Sequence, residues 1–200
     1  MERKTTTNRK KVVWGGQIAL GLLGAIVVLA STSCSEAVRA GDASSYLIIT
    51  NLIGGPQNDA TVESDVASDT GSIFTDTGTA TFQLQMKDPG GLGPGPVNAI
   101  TLTQYRVEYI RSDGRNTQGV DVPYTFNSGL TATISESGSA SFTLVRTQAK
   151  EEAPLKALRG GGGARAISVV ARVTFYGRDQ TGREVSVSGN LDVTFADWAG

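Results

Sequence analysis

The sequence contains no histidine in 200 residues and a single cysteine. Without histidine, the Ser-His and Cys-His pairs of common hydrolases and the histidine-containing zinc sites are excluded. A phosphate-binding loop is also missing, because the glycine run at 160–163 is followed by Ala164-Arg165 and not by lysine with serine or threonine. We therefore predict that the protein is not an enzyme and uses no cofactor.

Aromatic residues are scarce, at 6% of the chain with two tryptophans. Few side chains are thus candidates for stacking on a sugar ring, namely Tyr105, Tyr109, Tyr124, Tyr176 and Trp198. Tyr105 and Tyr109 are an even number of positions apart on a predicted strand, so they share a face and are expected to pack in the sheet. Trp198 is expected to close the base of the fold.

Basic residues are few outside the amino terminus. Removing the first 33 residues takes away five of the 18 basic and one of the 19 acidic residues, which leaves a net charge of −5. Nucleic-acid binding needs a clustered basic face, so nucleic acid is not a predicted partner. With one cysteine, an internal disulfide is excluded and one packed core must stabilise the remaining chain.

The amino terminus has the order of features found in an export signal. Basic residues come first, followed by an apolar stretch at 12–30, small residues at 31–33 and then Cys34. The basic residues are Arg3, Lys4, Arg9, Lys10 and Lys11. This arrangement resembles a bacterial lipoprotein signal, in which a lipobox precedes a cysteine that is diacylated and becomes the first mature residue. Ser31 departs from the lipobox, which usually has a large aliphatic residue at that position.

The resemblance implies three parts. Residues 1–33 would be the signal, 34–44 a short tether, and 45–200 the folded domain, with Cys34 lipidated. Ser35 lacks the acidic character linked to inner-membrane retention, so the resemblance favours an outer-membrane or outer-surface location in the bacterial cell envelope.

Two alternatives stay open. The 12–30 stretch could remain as an N-terminal helix that anchors the chain in the inner membrane, because about 20 apolar residues span a bilayer. An ordinary signal peptidase could instead cut after Ala40 and release a secreted domain. All three readings export the domain.

Most of the chain after position 45 consists of short segments rich in β-branched and aromatic residues, separated by turns. The predicted strands are 46–52, 61–66, 80–86, 100–110, 120–126, 130–134, 140–145, 166–176 and 185–195. Seven to nine strands with frequent turns predict an all-β fold, an immunoglobulin-like antiparallel β-sandwich. The resemblance is architectural, because the Cys-Trp-Cys core of antibody domains is missing.

Several finer features follow from the pattern. The apolar parity slips inside the 100–110 strand, which predicts a bulge near Thr103-Gln104. Pro123 predicts an edge strand at 120–126. Two hairpins are expected, one joining 130–134 to 140–145 and one joining the last two strands. Residues 148–158 are the predicted helical segment, with Lys150 outside and Leu155 and Leu158 inward.

The segment 57–78 is acidic and contains no basic residue. Carboxylates in an irregular loop can hold calcium, which prefers oxygen ligands. The candidate ligands are Asp59, Asp65, Asp69 and Asp76. Their spacing does not match an EF-hand, and a solvated polar loop is the alternative, so no metal is assigned.

These features predict an exported, lipid-anchored, non-catalytic binding or structural module of the cell envelope. A calcium-stabilised adhesion or carbohydrate-binding domain is the alternative, and an enzyme of unknown type is less favoured. The partners are the membrane, through the lipid anchor or an N-terminal helix, and an envelope protein or a glycan. Loops 88–96 and 148–163 are the predicted partner surfaces, since long loops often carry recognition.

Overall fold

The computed structural model describes residues 42–198, apart from positions 56, 89, 92 and 162. The predicted signal, Cys34 and most of the tether lie outside the described residues. Within the described residues, no helix has the length and apolar character needed to cross a membrane.

Eight strands, one short α-helix and two 3-10 helices form this part of the chain. The strands are β1 (Ser45–Gly54), β2 (Thr61–Asp65), β3 (Asp76–Met86), β4 (Ile100–Ile110), β5 (Phe126–Ile134), β6 (Ser137–Val145), β7 (Ala166–Asp179) and β8 (Glu184–Ala196). A 3-10 helix at Pro96–Asn98 precedes β4. The α-helix α1 (Thr147–Glu151) and a 3-10 helix at Leu155–Leu158 lie between β6 and β7.

The strands form two sheets, so the all-β prediction is confirmed. One sheet has the order β1-β3-β6 and the other β2-β8-β7-β4-β5. Neighbours pair antiparallel except β2, which runs parallel to β8. The two sheets face each other across one core, where Phe82 of β3 and Phe142 of β6 contact Phe175 of β7 edge to face, with ring centroids 5.0 and 5.4 Å apart.

The hairpin of β7 and β8 is confirmed. Alternate residues are buried from Val169 to Phe175 and, apart from the half-buried Gly189, from Val187 to Phe195, as a half-buried sheet requires. The turn holds Gly182 at a φ of +87°, which glycine adopts without strain. Asp179 fixes the turn, since its Oδ1 accepts hydrogen bonds from the backbone N–H groups of Thr181 and Arg183 and from the Thr181 hydroxyl.

The bulge in β4 is also confirmed. Pairing with both β5 and β7 skips Thr103, between Leu102 and Gln104. The extra residue restores the parity of the strand, so that Leu102 and Tyr105 are both buried although they are three positions apart.

The predicted strand at 120–126 is wrong. Segment 117–122 is a turn in which the carbonyl of Thr117 accepts hydrogen bonds from the N–H groups of Val120, Asp121 and Val122. Pro123, which has no N–H to donate, follows this turn. Strand β5 begins only at Phe126 and continues through the predicted 130–134 segment.

The predicted hairpin between 130–134 and 140–145 is wrong as well. β5 belongs to the five-stranded sheet and β6 to the three-stranded sheet, so Ser135 and Glu136 carry the chain across the core. The carbonyl of Glu136 accepts a hydrogen bond from Leu84 on β3. Alternation shows that one face of a strand is buried, but it does not specify which sheet the strand joins.

The helical segment is confirmed in part. α1 and the following 3-10 helix lie at the two ends of the predicted 148–158 range, with a non-helical turn at 152–154, and Leu155 and Leu158 are buried. The prediction that Lys150 lies outside is wrong, because its side chain is 1% exposed. An amphipathic pattern places a lysine outside by default, and a carboxylate distant in sequence overrides that default.

Strand pairing defines the two ends of the domain. Ser45 at the start of β1 pairs with Met86, and Ile100 pairs with Asp179, so loops 87–99 and 180–183 lie at the same end, called here the N-terminal end. The opposite, distal end carries the loops 55–60, 66–75, 111–125 and 146–165. Ala43 is buried and the carbonyl of Ser44 accepts a hydrogen bond from Lys87, so the last tether residues pack against the N-terminal end.

Candidate functional site

A cleft of about 340 Å³ opens at the distal end and contains much of the acidic segment. Its lining comes from the β1–β2 turn, strand β2, the β2–β3 loop, the start of β3 and α1. These residues are Gly55, Glu63, Asp65, Ser68, Ser72, Phe74, Thr75, Asp76, Thr77 and Lys150. We call this the distal cleft.

The floor of the distal cleft is a buried ion pair. Lys150 Nζ lies 3.0 Å from Asp76 Oδ2 and donates a hydrogen bond of 2.7 Å to the carbonyl of Asp65. The Ser64 hydroxyl, fully buried, donates to the same Asp76 oxygen at 2.5 Å. A buried charge needs such partners, so this group ties the β6–β7 connection to β2 and β3.

A second group of contacts holds the β6–β7 connection from outside. Arg159 donates to the carbonyl of Lys150 at 2.8 Å and lies 3.1 Å from Glu151 Oε2. The buried Asp197 accepts the N–H of Gly160, and Asp65 Oδ1 accepts the N–H of Trp198 at 3.2 Å. The connection, the end of β8 and the acidic segment thus form one hydrogen-bonded unit.

Sequence reasoning missed the role of Lys150, and one signal pointed towards it. Segment 57–78 carries five carboxylates and no basic residue, so any buried carboxylate among them needs a cation from another part of the chain. The sequence does not say which of these carboxylates is enclosed, whereas the tertiary structure shows that Asp76 is largely buried and that Lys150 is its partner.

The four calcium candidates are divided in the structure. Asp65 and Asp76 line the distal cleft, but Asp76 is paired with Lys150 and Asp65 Oδ1 accepts the N–H of Trp198. Asp59 Oδ1 accepts the N–H of Ala60, and Asp69 is exposed in the β2–β3 loop. Across the described residues, no group of three or more cysteine, aspartate or glutamate side chains is placed to hold a metal ion.

The remaining lining of the distal cleft combines an aromatic wall with acceptors. Phe74 is 66% exposed, Glu63 is exposed, and Ser68, Ser72 and Thr75 contribute hydroxyls. Ser64 is enclosed and its hydroxyl already donates to a carboxylate, so it does not face solvent as a nucleophile would.

The two predicted partner loops lie at opposite ends and do not form one surface. Loop 88–96 is at the N-terminal end, beside a shallow cleft of about 460 Å³ that includes Pro94, Thr133 and Gln180. Loop 148–163 is at the distal end, where much of it packs through Lys150, Leu155 and Leu158. A partner that contacts both loops would have to extend along the domain.

The five aromatic candidates have different environments. Tyr105 and Tyr109 are buried, as expected. Trp198, expected to close the base, is 46% exposed instead and lies against Gly163, so that expectation is wrong. Tyr124 lies over Gly119, where any side chain would collide with its ring.

Tyr176 is the remaining candidate and lies on the outer face of the five-stranded sheet. It is 38% exposed and lines a groove of about 400 Å³, called here the Tyr176 groove. The other lining residues are Thr103, Gln104, Gly177, Arg178, Glu184, Val185 and Ser186. The bulge in β4 forms one side of this groove, because Thr103 is its extra residue.

Two carboxylates in turns have pKa values below the ordinary value for aspartate. A hydrogen bond from Arg111 lowers the pKa of Asp113 to about 2. Burial alone would raise the pKa of Asp179, but hydrogen bonds from Thr181 and Arg183 outweigh it and lower that pKa below its ordinary value. Both groups stabilise local loop conformations, which is the ordinary use of a capping carboxylate.

No family model matches the chain, and no curated protein matches it either. One solved structure to which the chain is similar is Pseudomonas fluorescens alkylpurine DNA glycosylase AlkC bound to DNA containing an abasic site analog, at 11% identity and a TM-score of 0.32. The match covers 76% of this chain and 30% of the glycosylase chain, and at this TM-score it carries no argument about fold or activity.

Proposed function

We propose that this chain is an exported, lipid-anchored β-sandwich that acts as a non-catalytic binding or structural module of the bacterial cell envelope, with Cys34 as the lipidation site. The observation that carries the proposal is the order of features in the sequence. A basic start and an apolar stretch precede Cys34, and a folded two-sheet domain begins by Ala43. The outer membrane or outer surface is the favoured location.

The strand order supports an immunoglobulin-like architecture. In such domains strands A, B and E share one sheet while C, F and G share the other, with C′ added next to C in variable-type domains. β1, β3 and β6 correspond to the first group, and β4, β7, β8 and β5 correspond to the second. Strand D has no counterpart among the described strands. Such sandwiches commonly present binding surfaces on their loops and sheet faces.

The short distance in sequence between Cys34 and β1 limits how far the anchored domain can lie from the membrane. Eight residues, 35–42, separate Cys34 from the buried Ala43. Fully extended, they reach roughly 30 Å, so a lipid on Cys34 keeps the N-terminal end close to the membrane. Two or three acyl chains, at about 0.8 kcal/mol per buried methylene, hold such a domain firmly.

The test is the intact mass of the membrane-extracted protein, measured beside that of a Cys34→Ala variant. We expect a wild-type mass equal to residues 34–200 plus acyl chains, and loss of that species in the variant. A full-length wild-type mass would mean a retained signal anchor. A mass beginning at Gly41 would mean a secreted domain, and either result would contradict the lipid anchor.

A further inference from the structure

The Tyr176 groove crosses three strands on the outer face of the five-stranded sheet. Strand register places Tyr176 of β7 between Gln104 of β4 and Ser186 of β8. The neighbouring row places Arg178 beside Glu184, with their side chains 2.9 Å apart. An aromatic ring is thus surrounded by an amide, a hydroxyl, a guanidinium and a carboxylate.

The β4 bulge adds polar side chains to this groove. Thr103 and Gln104 are consecutive, yet both are exposed, because the bulge breaks the alternation of inward and outward positions. Bulges often redirect side chains next to binding sites. The groove therefore has more hydrogen-bonding groups than a regular strand would provide.

The charges on the outer face of the four strands around the groove favour an uncharged ligand. The outward positions of β4, β5, β7 and β8 carry three arginines and three carboxylates. They are Arg106, Arg172, Arg178, Glu108, Glu184 and Asp192. Two of the arginines lie beside carboxylates, Arg178 beside Glu184 and Arg172 3.9 Å from Glu108. A polyanion or a polycation would meet as much repulsion as attraction here.

An exposed tyrosine among planar polar groups fits the chemistry of a saccharide. A sugar ring presents an apolar C–H face, which an aromatic ring covers, and a rim of hydroxyls that both donate and accept hydrogen bonds. Gln104 and Ser186 each offer a donor and an acceptor, while Arg178 only donates and Glu184 only accepts. A small number of polar groups that converge around an apolar contact is typical of small-molecule sites.

We propose that the Tyr176 groove binds a neutral oligosaccharide, with Tyr176 stacked on one sugar ring and Gln104 and Ser186 bonded to its hydroxyls. This inference rests on the proposed binding function and specifies its ligand class. Tyr176 differs in this respect from Tyr124 and Trp198, which lie over Gly119 and Gly163 at loop positions.

The experiment is native electrophoresis of the full-length protein in detergent, with and without dextran, galactomannan, xyloglucan or laminarin in the gel. We expect at least one of these neutral polysaccharides to slow the protein, and the anionic polygalacturonate not to slow it. Tyr176→Ala should raise the apparent Kd at least about tenfold, because it removes the aromatic contact. Tyr176→Phe should stay within about twofold, since the ring remains.

Tyr124→Ala is the matched control, because it removes an exposed tyrosine away from the groove and should leave the mobility shift unchanged. Melting temperatures of all variants identify any loss of folding, and Gln104→Ala gives the same test if Tyr176→Ala melts early. Unchanged mobility in all four neutral gels, or equal retardation of wild type and a folded Tyr176→Ala protein, would overturn the proposal.

These outcomes are separate from those of the mass measurement. An acylated mass without polysaccharide binding would retain the anchored module and reject the saccharide groove. Polysaccharide binding by a protein whose mature mass begins at Gly41 would retain the groove and reject the lipid anchor.

Discussion

At position 150 a lysine lies among buried residues, with its Nζ between the Asp76 carboxylate and the carbonyl of Asp65. The cost of desolvating this ammonium group is offset only while both partners are present. Because the Asp76 side chain is only 12% exposed, loss of the lysine would leave a nearly buried carboxylate whose remaining hydrogen-bond partner among the described residues is the Ser64 hydroxyl.

We therefore expect Lys150→Met to lower the free energy of unfolding by about 3 kcal/mol, because removing one member of a buried pair leaves the other charge unpaired. Urea unfolding monitored by circular dichroism gives this value. Lys156→Met, which changes an exposed lysine in the neighbouring 3-10 helix, is the control and should change it by less than about 0.5 kcal/mol.

The double variant Lys150→Met, Asp76→Asn should recover at least half of the loss, because it removes both charges together. Equal unfolding free energies for wild type and Lys150→Met would show that the pair contributes no stability.

At the scale of elements, two tyrosines of β4 hydrogen-bond to β6 of the opposite sheet. Tyr109 donates its hydroxyl to the carbonyl of Leu144 at 2.7 Å, and the Tyr105 hydroxyl accepts the N–H of Thr143 at 2.9 Å. β6 is an edge strand in its sheet, so these bonds satisfy backbone groups that have no neighbouring strand. The two sheets are therefore joined by polar contacts inside an apolar core.

We expect Tyr109→Phe to cost about 1–3 kcal/mol of unfolding free energy, because it leaves the Leu144 carbonyl unpaired in the core. Tyr176→Phe, at an exposed position, should cost less than about 0.5 kcal/mol. Burial also raises the pKa of Tyr109 far above its ordinary value, so ultraviolet titration of the native protein should show this phenol ionising only on unfolding.

The β7–β8 turn gives a pH-dependent prediction. The pKa of Asp179 is lowered in the folded protein, so its contribution to stability is present above the unfolded pKa near 3.9 and is lost as pH falls through the folded value. Asp179→Ala should destabilise by about 1–3 kcal/mol at pH 7.

The difference in unfolding free energy between wild type and Asp179→Ala should then shrink below about pH 4. Chemical unfolding at a series of pH values measures this difference in free energy. Asp192→Ala, on the outer face of β8, is the control. A difference that stays constant from pH 7 to pH 3 would contradict the role of the carboxylate charge.

For the whole molecule, the acidic segment is stabilised by internal partners. Asp76 and Asp65 are engaged by Lys150 and by the Trp198 N–H, while Asp59 bonds within its own turn. We expect the melting temperature to change by less than about 1 °C between millimolar calcium and a chelator, because a ligand stabilises only in proportion to its binding to the folded state. A rise of several degrees with calcium would instead support the calcium-stabilised alternative.

The correct predictions concern interactions between residues close in sequence, and the incorrect ones depend on residues far apart in sequence. Alternation over β7 and β8, the turn at Asp179 and the parity slip in β4 are local patterns, and the sequence was sufficient for each of them. The prediction of a hairpin between 130–134 and 140–145 failed because a short connection fits both a turn within one sheet and a crossing between sheets. The prediction that Lys150 is exposed failed because its partner, Asp76, is 74 positions away in the chain.

The sequence by itself determined that the chain is rich in strands, that a basic and apolar start precedes Cys34, and that histidine chemistry is excluded. These properties depend on composition, period and neighbouring residues, which need no knowledge of distant contacts. Only the tertiary structure decided which sheet each strand joins, that Lys150 is buried, and that Tyr176 lies in a polar groove with Gln104 and Ser186. Each of these depends on which distant segments pack together. Buried charges and the backbone groups of edge strands find their hydrogen-bond partners only when the whole chain has folded.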